Sequence, residues 1–351
     1  MKHITKQVKV KNTIIGGTAP VTIQSMTNTH TRDYSATIEQ VRRLEAVGCD
    51  IVRLAVVDMD EVKVACKIAK EVTVPLVADI QYDYKLAVAC ADGGMAKIRI
   101  NPGNLGGADK LKEVATACKR NGVPIRVGVN AGSLEKGVST KGGIAAALAK
   151  SGLANLKLLE DCGFDDLVVS VKSSNAKVTV DAYRLLAKKC NYPLHIGITE
   201  SGVGLSGIIK SSVGLGALLL DGLGDTVRVS LSGDPVDEID IARRLLRASG
   251  RDVNFCEVIS CPTCGRCSFD LAALAVKVED MTQHIKNPLK IAVMGCAVNG
   301  IGEGKHADLG IAGSKDKAVI FCKGEIIKTV PMDVAEKEFF AVITNEIQKI
   351  K

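Results

Sequence analysis

The segment Cys261-Pro-Thr-Cys264-Gly-Arg-Cys267 sets three cysteines two residues apart, in a chain that otherwise scatters its thiols singly. A fourth, Cys296, opens the stretch GCAVNGIGEGKH, which also carries Glu303. A Cys-x-x-Cys pair with a distant cysteine is a metal or cluster signal. By spacing alone Cys261, Cys264, Cys267 and Cys296 suit a four-thiolate site of either zinc or iron–sulfur kind. The turn around Gly300, Gly302 and Gly304 favours the cluster. It offers Asn299 and Glu303 close to Cys296 on a flexible loop, as an iron–sulfur centre with one exchangeable oxygen ligand needs. The spacing excludes the Cys-x3-Cys-x-x-Cys pattern of radical-type clusters, and a thioredoxin-type disulfide calls for a βαβ beginning that is not here.

A second reactive set recurs at the ends of short β-branched runs. Arg53 lies in DIVRLAV (50–56), Asp79 in PLVADI (75–80), and Arg99 with Asn101 in AKIRIN (96–101). Arg126 and Asn130 lie in PIRVGVN (124–130), Lys172 ends DLVVSVK (166–172), Glu200 follows PLHIGIT (193–199), and Arg228 with Ser230 lies in TVRVSL (226–231). Residues an even number apart share a strand face. A single charge near a strand end is as often solvated or ion-paired as functional. Four arginines and a lysine in the same place on successive strands predict instead one inward pocket for an anion. Without one, each inward charge carries a desolvation penalty on the order of several kcal/mol.

With VTIQSM (21–26) there are eight such runs, separated by segments of helical spacing such as SATIEQVRRLEAVGCD, MDEVKVACKIAKEV and VDAYRLLAKKCNY. Strand then helix, eight times in about 240 residues, predicts a TIM (β/α)8 barrel over 1–250, whose rim at the strand C-termini is where such folds build sites. Residues 251–351 break the rhythm. They read as a small α+β domain: a strand, the cysteine loop, a helix over 268–284, the strands KIAVMG and LGIAGS, a hairpin KAVIFCKGEIIKTV and a final helix. Gly202-x-Gly204-x-x-Gly207 matches a dinucleotide fingerprint but follows the seventh of the eight runs. Barrels often bind phosphate there, so a mobile loop or phosphate cradle is expected rather than an NAD site.

Composition narrows the partners. A net charge of +7 suggests an anion, but 3% aromatics and no Trp leave few stacking platforms, so a small phosphorylated substrate is expected and nucleic acid is not. The opening MKHITKQVKVKNTIIGG has no apolar core, and nothing approaches a bilayer-spanning run, so no membrane association is expected. Twelve cysteines without a secretory signal point to a reducing, cytoplasmic setting. Cys49, Cys66, Cys90, Cys118, Cys162 and Cys190, each alone among apolar neighbours, are expected to be packing residues.

In combination these features resemble one family, the 4-hydroxy-3-methylbut-2-en-1-yl diphosphate synthases, iron–sulfur enzymes of the methylerythritol phosphate route to isoprenoids. The similarity runs through IQSMTNT, GCDIVRLAV, VPLVADI, RINPGN, IRVGVNAGSLEKG, VSVKSS, HIGITESG, DTVRVSLSGDP, CPTCGR and GCAVNGIGE, in family order over nearly the whole chain. The resemblance implies a barrel followed by a cluster domain, in the short form without an inserted domain. It implies [4Fe-4S] ligands at Cys261, Cys264, Cys296 and Glu303, and substrate residues at Arg53, Asp79, Arg99, Arg126, Asn130, Lys172, Glu200, Arg228 and Ser230. Of these, Glu200 would donate a proton, Asp79 would orient a hydroxyl, and Glu303 would yield its iron to substrate. The implied substrate is a cyclic diphosphate, the electron donor flavodoxin or ferredoxin, and the assembly a homodimer in which one subunit's cluster domain closes the other's barrel. Three positions depart from the family pattern: Cys267, a competing fourth ligand or a spectator thiol; Ile301, where proline is frequent; and Gln81, where a histidine is common. Two rival classes are a zinc-binding barrel without redox function and a pure electron carrier.

Overall fold

Runs of Val and Ile with few polar interruptions form strands buried on both faces, as an all-parallel sheet requires. The computed structural model describes residues 3–134, 140–267, 269–296, 300, 302 and 304–349. It divides between Arg251 and Asp252 into two units. In the first, a hairpin of β1 (Val8–Val10) and β2 (Thr13–Ile15) precedes eight strands. These are β3 (Thr22–Met26), β4 (Ile51–Ala55), β5 (Leu76–Asp79), β6 (Lys97–Ile100), β7 (Ile125–Asn130), β8 (Leu167–Lys172), β9 (His195–Gly197) and β10 (Thr226–Arg228). All pair in parallel in the order β8-β7-β6-β5-β4-β3-β10-β9, and a bridge from Val169 to Leu194 joins β8 to β9 and closes the ring. The eight expected strands are therefore present as a TIM barrel. The hairpin was not expected; its Val8, Val10 and Ile15 pack on Ile51, Val77 and Val168 inside the bottom of the barrel.

Between strands run α1 (Tyr34–Ala46), α2 (Met59–Glu71), α3 (Tyr84–Asp92), α4 (Ala108–Asn121), α5 (Ile144–Asp161), α6 (Ala176–Ala187), α7 (Gly204–Leu220) and α8 (Asp237–Ala248). Several start where an acid or amide caps the first turn: Asp33, Asp58, Asp83 and Asn175 each accept a backbone N–H of the helix they begin. The glycine fingerprint is the entry to α7: Gly202 and Gly204 take φ of +107° and +49°, and at Gly207 a Cβ would stand 2.8 Å from the Gly202 carbonyl oxygen. Cys49, Cys66, Cys90 and Cys118 are buried in the shell between sheet and helices. Burial pushes the Cys49 and Cys118 thiols up to about 12, the behaviour of inert packing residues. Cys66 and Cys90 are not alone, however, since their thiols are hydrogen-bonded to each other.

The second unit holds β11 (Cys256–Ser260), α9 (Leu271–Thr282), β12 (Leu289–Met294), β13 (Leu309–Gly313), β14 (Lys317–Cys322), β15 (Glu325–Pro331) and α10 (Ala335–Lys349). Its sheet runs in chain order, parallel from β11 to β13 and antiparallel from β13 to β15. Leu274 and Val278 of α9 and Phe339 and Ile343 of α10 cover Ile291, Val293, Ile311 and Ile320 of the sheet.

Candidate functional site

Register brings the sequence-picked residues onto one level of the barrel. Arg53 lies beside Met26 and Val77, Asp79 beside Arg99, and Arg99 beside Arg126. Asn130 lies beside Lys172, and Arg228 beside Gly197. Together with Gln81, Ser170, Thr199 and Ser230, the residues Arg53, Asp79, Arg99, Arg126, Asn130, Lys172 and Arg228 line a cavity of about 240 Å³ at the strand C-termini. The structure thus collects in one pocket nearly every rim residue chosen from sequence.

The pocket is a cation cluster organised by one carboxylate. Asp79 Oδ1 accepts from Arg99 Nη1 at 3.0 Å, and its Oδ2 faces Arg53 Nε at 3.9 Å. Burial raises the Asp79 carboxyl, but Arg53, Arg99 and Arg126 outweigh it and hold the group below the usual aspartate range. Arg99 also donates to the Gly128 carbonyl at 3.1 Å. The Nε and Nη1 of Arg126 have no partner among the described residues, although its side chain is 1% exposed. Burial, then the neighbouring Arg126, Arg53, Arg228 and Arg99, push the Lys172 ammonium well below the lysine range. Five cationic side chains against one carboxylate in the lining form a ready receptor for a multiply charged anion.

Several positioning residues escaped the sequence reading. Met26 Sδ receives Arg53 Nε and Nη2 at 3.0 and 2.8 Å. Glu238, the second residue of α8 and 2% exposed, faces Arg228 at 3.5 Å while accepting from Ser25 Oγ at 2.8 Å and the Leu231 amide at 3.0 Å. Gly128 and Gly197 leave room for cations: a Cβ on Gly128 would stand 2.4 Å from Arg99 Nε, and one on Gly197 would stand 2.6 Å from Lys172 Nζ. Isolated glycines within strands were an available signal of such close approach. Glu200 is exposed, outside the cavity lining, and takes φ of +52°, a conformation uncommon for a non-glycine residue.

In the second unit Cys261 and Cys296 lie at the carboxyl ends of two adjacent parallel strands, where open α/β sheets bind their ligands. Cys261 directly follows β11, Cys296 follows β12 after one glycine, and the Gly295 amide donates to Cys261 Sγ at 3.2 Å. Cys267 donates its thiol to the Phe269 carbonyl at 3.3 Å and packs against Gly295, and Cys264 is exposed. All twelve cysteines are thiols. Among the described residues no three His, Cys, Asp or Glu side chains converge as a single-ion site, and Glu303, Asn299 and Ile301 lie outside the described residues. The donor set nonetheless fits a cluster, which is soft, prefers thiolate, accepts amide hydrogen bonds at sulfur, and spreads its ligands more widely than one ion does.

Comparison with known proteins agrees in both units. Residues 5–243 match the family model described as the GcpE TIM-barrel domain, and residues 257–345 match the GcpE protein C-terminal domain. The chain is 51% identical over 352 aligned positions to the 4-hydroxy-3-methylbut-2-en-1-yl diphosphate synthase (flavodoxin) of Caldanaerobacter subterraneus subsp. tengcongensis, covering 100% of this chain and 98% of that one. It is 48% identical to the enzyme of the same name from Ruminiclostridium cellulolyticum, covering 98% of each. Among solved structures, the dihydropteroate synthase of Yersinia pestis superposes with a TM-score of 0.52 at 12% identity over 70% of this chain and 100% of that one, a likeness of fold alone.

Proposed function

Because the chain belongs to the GcpE family, the 4-hydroxy-3-methylbut-2-en-1-yl diphosphate synthases, we propose that its barrel cavity holds the substrate's phosphates and that the cysteines of the second unit hold the electron-supplying cluster. The enzyme opens the ring of 2-C-methyl-D-erythritol 2,4-cyclodiphosphate, takes up two electrons and expels a hydroxyl as water, giving (E)-4-hydroxy-3-methylbut-2-enyl diphosphate for isoprenoid synthesis. The observation that carries the site assignment is the cation excess around the cavity. Arg53, Arg99, Arg126, Arg228 and Lys172 face a single lining carboxylate, Asp79.

No acid–base side chain supplies electrons, so the reaction requires a redox centre. A [4Fe-4S] cluster held by Cys261, Cys264, Cys296 and Glu303 would supply electrons one at a time and a Lewis-acidic iron. The Cys267 hydrogen bond to Phe269 supports a spectator role for that thiol. In the barrel, the guanidiniums grip phosphate oxygens in pairs and stabilise the diphosphate as it becomes a leaving group. Asp79, fixed between Arg53 and Arg99, accepts a hydrogen bond from a substrate hydroxyl and orients it. Glu200 delivers a proton to the departing hydroxyl from the rim after β9, for which its exposed position requires the loop to bring it inward. Flavodoxin, named for the relatives, is the proposed electron donor, with ferredoxin the alternative reductant, and a cytoplasmic homodimer is the proposed form.

Anaerobic purification with iron and sulfide analysis, followed by addition of the cyclodiphosphate and a strong reductant, tests this reading. About four irons per chain and formation of the linear diphosphate are expected. Zinc in place of iron, or no product from a loaded protein, would return the chemistry of the site to unknown.

A further inference from the structure

One storey of the barrel takes no part in this chemistry. Each of Gln24, Lys97, His195 and Thr226 lies two residues before a member of the rim level, on the same strand face as Met26, Arg99, Gly197 and Arg228. Register sets Ile51 beside Gln24 and Val77 beside Lys97, so the same layer, one step below the cavity lining, is part polar and part apolar, its apolar members packing on Val8, Val10 and Ile15. Its polar groups are poorly matched. Lys97 is 0% exposed, and its ammonium has one hydrogen-bond partner among the described residues, Gln24 Oε1 at 3.3 Å. Gln24 Nε2, both ring nitrogens of His195, and the hydroxyls of Thr22 and Thr226 are buried without partners among the described residues. Arg126 links this layer to the cavity, lining the one while leaving Nε and Nη1 unmatched.

The reaction gives such a layer a task. In the cyclic substrate every phosphate oxygen but one on each phosphorus is committed to the ring or to a double bond. Breaking a ring carbon–oxygen bond frees one more ionisable oxygen, so negative charge on the cradle grows between substrate and product. We propose that Lys97 is a proton-accepting counter-charge beneath the cradle: uncharged while the cradle is empty, protonated at Nζ when the phosphates arrive above it, and still protonated as the product's extra charge develops. The proton comes from solvent onto the Nζ lone pair, and no bond to the substrate forms or breaks at Lys97.

The surroundings set both states. Burial, with Arg126 of β7 and Arg53 of β4, pushes the Lys97 ammonium well below the lysine range. Lys172 of β8 and His195 of β9 add nothing negative, and Asp79 of β5 is already engaged by Arg53 and Arg99. Phosphate in the cavity reverses the local field, and the N–H that Gln24 Oε1 already accepts from Lys97 becomes a charge-assisted hydrogen bond.

The proposal rests on the cavity being the cyclodiphosphate site, and the test separates the two. Calorimetric titration of the oxidised, cluster-loaded enzyme with the cyclodiphosphate, in buffers of different ionisation enthalpy, counts protons taken up on binding. The wild type should take up about one proton per site, with affinity falling as pH rises. Lys97→Met and Lys97→Gln should lose most of that uptake and bind about tenfold more weakly at neutral pH. A lysine held neutral by folding binds fewer protons folded than unfolded. It therefore costs stability below the lysine range, and the cost shrinks as pH rises towards that range. Ligand-free Lys97→Met should accordingly melt higher than wild type, whereas a purely structural lysine would leave it lower. Binding by the wild type without proton uptake, or uptake unchanged in both variants, overturns the role of Lys97. No binding by the loaded wild type overturns the cavity assignment and this inference with it.

Discussion

In the proposed cradle, recognition of phosphate depends on residues that do not line the cavity. Gly128 leaves space for Arg99, so Gly128→Ala drives a Cβ into the guanidinium and should lower kcat/KM about a hundredfold while the cluster content stays at wild-type level. Unchanged kinetics would mean that Arg99 shifts without cost and is not part of the cradle. Glu238 fixes Arg228 from behind. Glu238→Gln keeps the shape and removes the charge, so KM should rise about tenfold with a smaller change in kcat, and Glu238→Asp should recover part of the loss. An equal fall in kcat with KM untouched would sink this positioning role. Asp79 supplies the pH dependence. Its folded carboxyl titrates below its unfolded value, so the stability it contributes is fully present above the ordinary aspartate range and is lost as pH falls through the folded value. Acid denaturation of Asp79→Asn should therefore show a flatter low-pH limb than wild type, and identical limbs would remove Asp79 as its source.

At the scale of elements, the site is precise because it stands on strands with a stopped bottom. Ile15 of β2 reaches Ile51 and Val77 through the hairpin beneath the barrel. Ile15→Ala should cost about 2–4 kcal/mol of unfolding free energy and leave KM near wild type; a large KM change at normal stability would mean that the hairpin shapes the mouth as well. The hairpin was illegible in the sequence because three-residue strands carry too little alternation to stand out from a polar N-terminal stretch. The barrel strands were legible for the opposite reason: Val and Ile runs with inward charges at even spacing leave only one sheet architecture in which the charges meet. Glu238 was missed because acids in the first turn of a helix already have a local explanation in the helix dipole. Met26 was missed because a thioether reads as core. The tie of Cys267 to Phe269 depends on the turn after the cysteine loop, which spacing does not encode.

Across the molecule, the proposed chemistry is divided between two units: the barrel holds the cation-rich cavity and the second unit the thiols of Cys261, Cys264 and Cys296. Arg228 precedes Cys261 by only 33 residues in the chain. A connection this short favours, in our proposal, a homodimer in which each barrel is served by the cluster of the other subunit. Complementation distinguishes this from two self-sufficient chains. Arg126→Ala disables a barrel and Cys261→Ser a cluster, so each homodimer has no complete site. If sites are shared, a mixed dimer carries one intact barrel facing one intact cluster, while its other site combines both lesions. Random pairing at equal amounts makes half the dimers mixed, so activity should return to about a quarter of wild type, and it should depend on co-folding or subunit exchange. Were each chain to close its own barrel, no mixture would contain a complete site. Activity would then stay at the level of the single variants however the subunits were paired.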